Sequence, residues 1–160
     1  MKKSILILIL FFCYASNINA ETKRISSGNK NAKISIIAYE SLTCSHCADF
    51  HTDVYPKLKK EYIDTGLAKI EFRHFPLDLA ALNASKIAQC KEDQGLEILE
   101  SLYSSQNVWV KGNNIEEINN NLKKFIENKG YKINFEKCVN NKKIEDFILN
   151  DRIEATKNFK

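Results

Sequence analysis

Charge of one sign is the first thing this sequence lacks. Its 24 Lys and Arg face 20 Asp and Glu, a formal net charge of +4. That bias is too small to support nucleic-acid or membrane-surface binding as a role. Runs such as Asn119-Asn120-Asn121 and Lys142-Lys143 read as solvated helix faces. No internal repeat and no long linker interrupts the chain. There is no apolar run long enough to span a bilayer comfortably. Proline occurs twice, at Pro56 and Pro76, and histidine three times, at His46, His51 and His74.

What is present begins at the N-terminus. Met1-Lys2-Lys3, an apolar run from Ile5 to Phe12 and a small residue at Ala20 read as a secretory signal peptide over 1–20, ahead of an N-terminal anchor that stays uncleaved. Cys13 falls inside it. Leu10-Phe11-Phe12-Cys13 lacks the small residues that precede a lipid-modified cysteine, so Cys13 is expected to leave with the signal. Cleavage after Ala20 also removes Lys2 and Lys3, and the remainder suffices for one domain with its own core. Four of the five cysteines remain: Cys44, Cys47, Cys90 and Cys138. An even count in an exported chain favours disulfides.

Residues 21–32 are polar and expected to form a loose N-terminal arm. Lys33 to Tyr39, with Ile34, Ile36 and Ile37, predicts a strand buried on both faces. The period then changes: Cys47, Phe50, Val54 and Leu58 fall on one helix face. Pro56 lies inside that helix and should bend it. Gly66 ends the segment, and Lys69 to Phe75 alternates as a second strand that Pro76 stops. Beyond Leu77 the pattern is helical, with four or five helices. Their apolar stripes include Ala80, Ala84, Ile87 and Ala88, then Leu96, Leu99, Leu102 and Tyr103, then Ile115, Ile118, Leu122, Phe125 and Ile126. A strand-helix-strand start favours parallel pairing through a right-handed crossover.

The stretch Cys44-Ser45-His46-Cys47 sits where the first strand turns into the first helix. Unpaired N–H groups and the helix dipole there favour a thiolate at Cys44. His46 could stabilise the same anion. Cys47, one turn inside, should be the shielded sulfur. An exposed attacking sulfur beside a shielded resolving one suits thiol–disulfide exchange, and stabilising the thiolate makes the disulfide the stronger oxidant. A CxxC can also be half of a zinc site, but that needs a second ligand pair. Cys90 and Cys138 are far apart, and His51 and His74 stand alone. Two inert buried thiols fit poorly at a helix start.

For Cys90 and Cys138 the favoured reading is a structural disulfide tying the helical region together, ahead of a second redox couple or two free thiols. Closing a loop of roughly 50 residues adds about 4 kcal/mol by chain entropy. Trp109, Tyr103 and His74 read as packing residues, Trp109 as an anchor of the helical region.

The CSHC stretch followed by Phe50, the strand ending in Tyr39-Glu40, and Phe72-Arg73-His74-Phe75-Pro76-Leu77 resemble the DsbA-like thiol:disulfide oxidoreductases of the thioredoxin superfamily. Leu102-Tyr103, Gln106 and Trp109 are similar to that family's helical insert. The resemblance implies a thioredoxin-like α/β domain over 33–160, with a strand-helix-strand unit at 33–76 and a helical insertion at 77–160. It implies a periplasmic enzyme without a cofactor that introduces or isomerises disulfides in exported proteins with free cysteines. A DsbB-like membrane partner would reoxidise it. Carried over by position, Cys44 is the nucleophile, Cys47 the resolving thiol, and Ser45 and His46 the dipeptide that tunes the potential. The family completes its sheet with two more strands and a terminal helix, the first of these strands preceded by a cis-proline. Neither Pro56 nor Pro76 falls in that order, so the expected fold lacks the C-terminal strand pair and helix. Its open sheet edge keeps two other readings in view, a catalytically impaired fragment and a CxxC metal-binding or chaperone module.

Overall fold

The computed structural model describes residues 22–91 and 93–159. The expected signal, 1–20, lies outside them. Among these residues three strands form one sheet in the order β1-β3-β2: β1 Ile25–Gly28, β2 Ile34–Glu40 and β3 Ala68–His74. β2 and β3 run parallel, pairing Ile36 with Ile70 and Glu40 with His74. β3 alternates as its sequence demands, with Ala68, Ile70, Phe72 and His74 buried.

Two expectations about the N-terminal strands are corrected. The polar segment 21–32 is no loose arm, because it contains β1, antiparallel to β3 with Ile25 opposite Phe72. Ile25 is buried in the core, and Arg24 donates to the buried carboxylate of Asp151, 2.8 Å away. Gly28, at φ +106°, turns the chain out of β1, and a Cβ there would lie 2.9 Å from the Ala68 carbonyl oxygen. β2 is not buried on both faces. It pairs with β3 alone among the described residues, and Ile34 and Ile37 are exposed at 54% and 47%.

The first helix is built from four pieces: α1 Ser45–Asp49, a π-type turn over Phe50–Val54, α2 Tyr55–Leu58 and a second π-type turn over Lys59–Ile63. Pro56 sits in the first turn of α2 and has no N–H to give. The Tyr55 N–H reaches back five residues to the Phe50 carbonyl. A π-type turn holds one residue more than an α-turn. The inward position therefore moves on from Val54, which is 51% exposed, to Tyr55, which is buried with His51 and Ile63.

Among the described residues six helices follow: α3 Leu79–Gln89, α4 Gly95–Ser104, α5 Gln106–Trp109, α6 Ile115–Asn128, α7 Phe135–Val139 and α8 Lys142–Asn158. Side-chain oxygens of Asp78, Asn114, Asn134 and Asn141 accept from the first-turn N–H groups of α3, α6, α7 and α8. Ile98, Leu99, Leu102 and Tyr103 of α4 join Ile70 and Phe72 in a single core. Trp109 is fully buried and donates its indole N–H to the Leu102 carbonyl at 2.9 Å. Cys90, at the end of α3, is bonded to Cys138 of α7, with the Cα atoms 5.7 Å apart. Beside that bridge the buried Lys86 ammonium donates to the Val139 carbonyl and to Glu145. Among the described residues no helix is long and apolar enough to cross a membrane.

Candidate active site

β2 delivers Glu40 to the end of the sheet, where its carbonyl accepts from the Phe75 N–H at 2.7 Å. The chain then turns: the Cys44 N–H bonds the Ser41 carbonyl at 3.1 Å, and Cys44, still extended at φ −81° and ψ 119°, caps α1. Its own carbonyl accepts the Ala48 N–H. Cys44 and Cys47 are both free thiols and both half-buried. The expected contrast of an open and a hidden sulfur is thus not one of exposure alone.

Electrostatics separates them. The Cys47 thiol is pushed up to about 11. Burial is the chief cause; a backbone hydrogen bond at Ser41 works against it, while Cys44 and the charge of Glu40 add to it. With both sulfurs reduced, Cys47 therefore keeps its proton near neutral pH. Ser45 and His46 open α1 on its solvent side. The His46 ring is 94% exposed and lies 3.6 Å from Asp49 Oδ2. Ala38, Tyr39, Glu40, His46, Cys47 and Phe50 line a cavity of about 270 Å³.

The helical region holds this loop from two sides. The Gln106 amide donates to the carbonyls of Leu42, at 2.8 Å, and Cys44, at 3.1 Å. Thr43 donates its hydroxyl to Asp78 Oδ2 at 2.8 Å, and the Leu77 N–H reaches Ser41 Oγ. Asp78 is also the cap of α3, so the start of that helix and the loop before Cys44 share one side chain. Sequence reasoning placed Gln106 only in a helical match and left Asp78 unremarked, since both act across long separations.

Beneath the pair lies a buried polar couple. His51 Nε2 is 2.9 Å from Glu40 Oε2, with both side chains almost fully buried. The imidazole stacks on the Tyr103 ring, with centroids 4.1 Å apart and planes 15° from parallel. Burial raises the Glu40 carboxyl against the opposing pull of His51. His74, at the end of β3, is lowered to about 4 by burial. Among the described residues no three His, Cys, Asp or Glu side chains gather as a metal-binding group.

A strand-loop-helix presenting CSHC, backed by a parallel strand and a helical layer, defines a thioredoxin-like protein. Comparison with known proteins agrees. The family model described as Thioredoxin matches residues 20–160. The fold matches the crystal structure of alpha-DsbA1 from Wolbachia pipientis with a TM-score of 0.74 and 36% identity, covering 82% of this chain and 67% of that one. It also matches, as a fold, a protein-disulfide isomerase from Novosphingobium aromaticivorans, with a TM-score of 0.76 and 19% identity over 84% of this chain and 80% of that one. A Rickettsia bellii protein provisionally named protein-disulfide oxidoreductase is 32% identical over 126 residues, 76% of this chain and 47% of its own length. The chain belongs to the thioredoxin family, in its DsbA-like branch. It spans about half the length of the curated relatives it first matches.

Proposed function

We propose that the protein is an exported thiol:disulfide oxidoreductase that passes a disulfide from Cys44–Cys47 to other exported proteins. A substrate thiolate attacks Cys44 Sγ. The Cys44–Cys47 bond breaks, its electron pair leaves on Cys47, and a substrate–Cys44 mixed disulfide forms. A second substrate thiolate attacks the substrate sulfur of that bond, and the pair of electrons returns to Cys44. The substrate gains a disulfide and loses two electrons, and the CSHC site gains them. The observation that carries this reading is the unequal pair at one helix start, with Cys47 raised to about 11 so that it is a leaving group that must end as a thiol. Ser45 and His46, exposed on the first turn of α1, are placed to set the potential and to meet the substrate.

The leader-like N-terminus supports the periplasm as the compartment, and a DsbB-like membrane protein is the partner that would restore the disulfide. The alpha-DsbA1 likeness supports donation of disulfides over their reduction. Equilibration with glutathione tests this directly, with Cys44→Ser as control. The expected potential lies well above about −270 mV, the range of thioredoxin. A value below it would assign the protein to the reductants. No exchange in the wild type would leave a module without this activity.

A further inference from the structure

Gln106 opens α5, and its own backbone is fixed there. The Val110 N–H bonds its carbonyl at 2.9 Å, and Trp109, three residues on, is fully buried and tied to the Leu102 carbonyl. From this anchored position the side chain crosses to the loop that leads into the first helix. It serves two carbonyls, Leu42 at 2.8 Å and Cys44 at 3.1 Å. Both partners are acceptors, so the amide presents its NH2 and not its oxygen. The Cys44 carbonyl also accepts from the Ala48 N–H at 3.2 Å, one bond from within the helix and one from across the fold. Thr43, between the two held carbonyls, is tied through its hydroxyl to Asp78.

A peptide unit is planar and trans, so a carbonyl held in one direction holds the N–H of the next residue in the opposite one. Gln106 thus fixes two peptide planes, Leu42–Thr43 and Cys44–Ser45. The second is the entry to α1. Cys44 lies between them at φ −81° and ψ 119°, and these dihedrals carry its Cα–Cβ bond. No side chain caps the first-turn N–H groups, which leaves them to a charge at Cys44.

We propose that Gln106 is a positioning residue for the exchange reaction, holding the Cys44 backbone so that the attacking sulfur, once reduced, meets the unpaired N–H groups at the start of the first helix. The inference rests on the oxidoreductase reading above. The held geometry favours the reduced form, with Cys44 as the anion, over the disulfide. Without the amide the two planes turn more freely and the thiolate is favoured less. Gln106→Ala is then a weaker oxidant with a slower Cys44. Gln106→Glu keeps the length of the side chain but sets a carboxylate against two carbonyls. Protonation of that carboxyl returns one donor.

The test is alkylation of the reduced full chain across about pH 5 to 8, read at each sulfur by peptide mass analysis, with equilibration against glutathione beside it. The chains are wild type, Gln106→Ala, Gln106→Glu and, as the control for lost stability, Asn141→Ala, which removes the cap of α8. Cys44 labelling near neutral pH is expected to slow about threefold or more in Gln106→Ala, with its profile moved to higher pH. The equilibrium with glutathione should move toward the oxidised protein by a similar factor. Gln106→Glu should be slower still near pH 7 and recover relative to wild type as pH falls toward about 5. Asn141→Ala should match wild type in both measurements. A folded Gln106→Ala whose Cys44 profile and glutathione equilibrium equal those of wild type overturns the proposal. So does an equal loss in Asn141→Ala, since the effect would then be one of stability alone. If neither Gln106 variant folds, Gln106 is a folding element and the positioning role is wrong. A wild type that exchanges nothing with glutathione removes the oxidoreductase reading, and the alkylation profiles still decide whether Gln106 positions Cys44.

Discussion

At Cys47, burial and the neighbouring charges act in one direction, and both depend on residues that sequence alone did not connect to it. Glu40 is the last residue of an apolar strand, and that strand's register brings its charge to bear on the Cys47 thiol. Gln106 is the clearest case for mutation. Its amide bonds two carbonyls of the loop around Cys44, so Gln106→Ala should cost about 1–2 kcal/mol, read as a lower urea midpoint with an unchanged slope. His74 gives a pH prediction. Its folded-state value of about 4 lies below the usual 6.5, so at mildly acid pH the unfolded chain binds a proton that the native one does not. That contribution to stability is complete above about pH 6.5 and is lost as pH falls toward 4, by about 3 kcal/mol in all. Urea unfolding at several pH values should show the decline, and His74→Leu should flatten it.

Among the elements, the first helix shows what a sequence pattern can and cannot carry. The apolar spacing located the helix, and Pro56 marked the irregularity. The outcome, two π-type turns that move the inward position from Val54 to Tyr55, depends on how the backbone absorbs a missing N–H. Val54→Asp is therefore expected to change stability by no more than about 0.5 kcal/mol. Tyr55→Ala, which empties a site 3% exposed, should cost about 3 kcal/mol or more. Chemical denaturation of the pair decides whether the register is the one described. β1 was hidden for a different reason: four residues, ISSG, with one apolar side chain, owe their strand to pairing with β3. β3 itself, with alternation over seven residues, was legible without its partners. The CSHC motif was legible because its chemistry is local. Glu40 with His51, and Gln106 with the loop, were not, because those contacts join residues 11 and more than 60 positions apart. The one available signal was an acidic residue closing an apolar strand and a histidine four positions after Cys47.

For the whole molecule, the helical region is tied to the loop around Cys44 through the Gln106 amide, Asp78 and the Leu77 N–H, and is stapled internally by Cys90–Cys138. The staple closes a separation of 48 residues. Replacing both cysteines by alanine should lower stability by about 4 kcal/mol on the chain-entropy estimate, and mass mapping of the oxidised chain should recover a linked Cys90–Cys138 peptide. The layer covers β3 with α8, while β2 keeps an unpaired outer edge among the described residues.

The most direct test of the unequal pair is timed alkylation of the fully reduced chain near pH 7, with peptide mass analysis of each sulfur. Cys44 should be modified first, with Cys47 slower by about tenfold or more, because the thiolate is the reacting form and burial keeps Cys47 protonated. Equal labelling of the two sulfurs, or Cys47 ahead of Cys44, would contradict the mechanism.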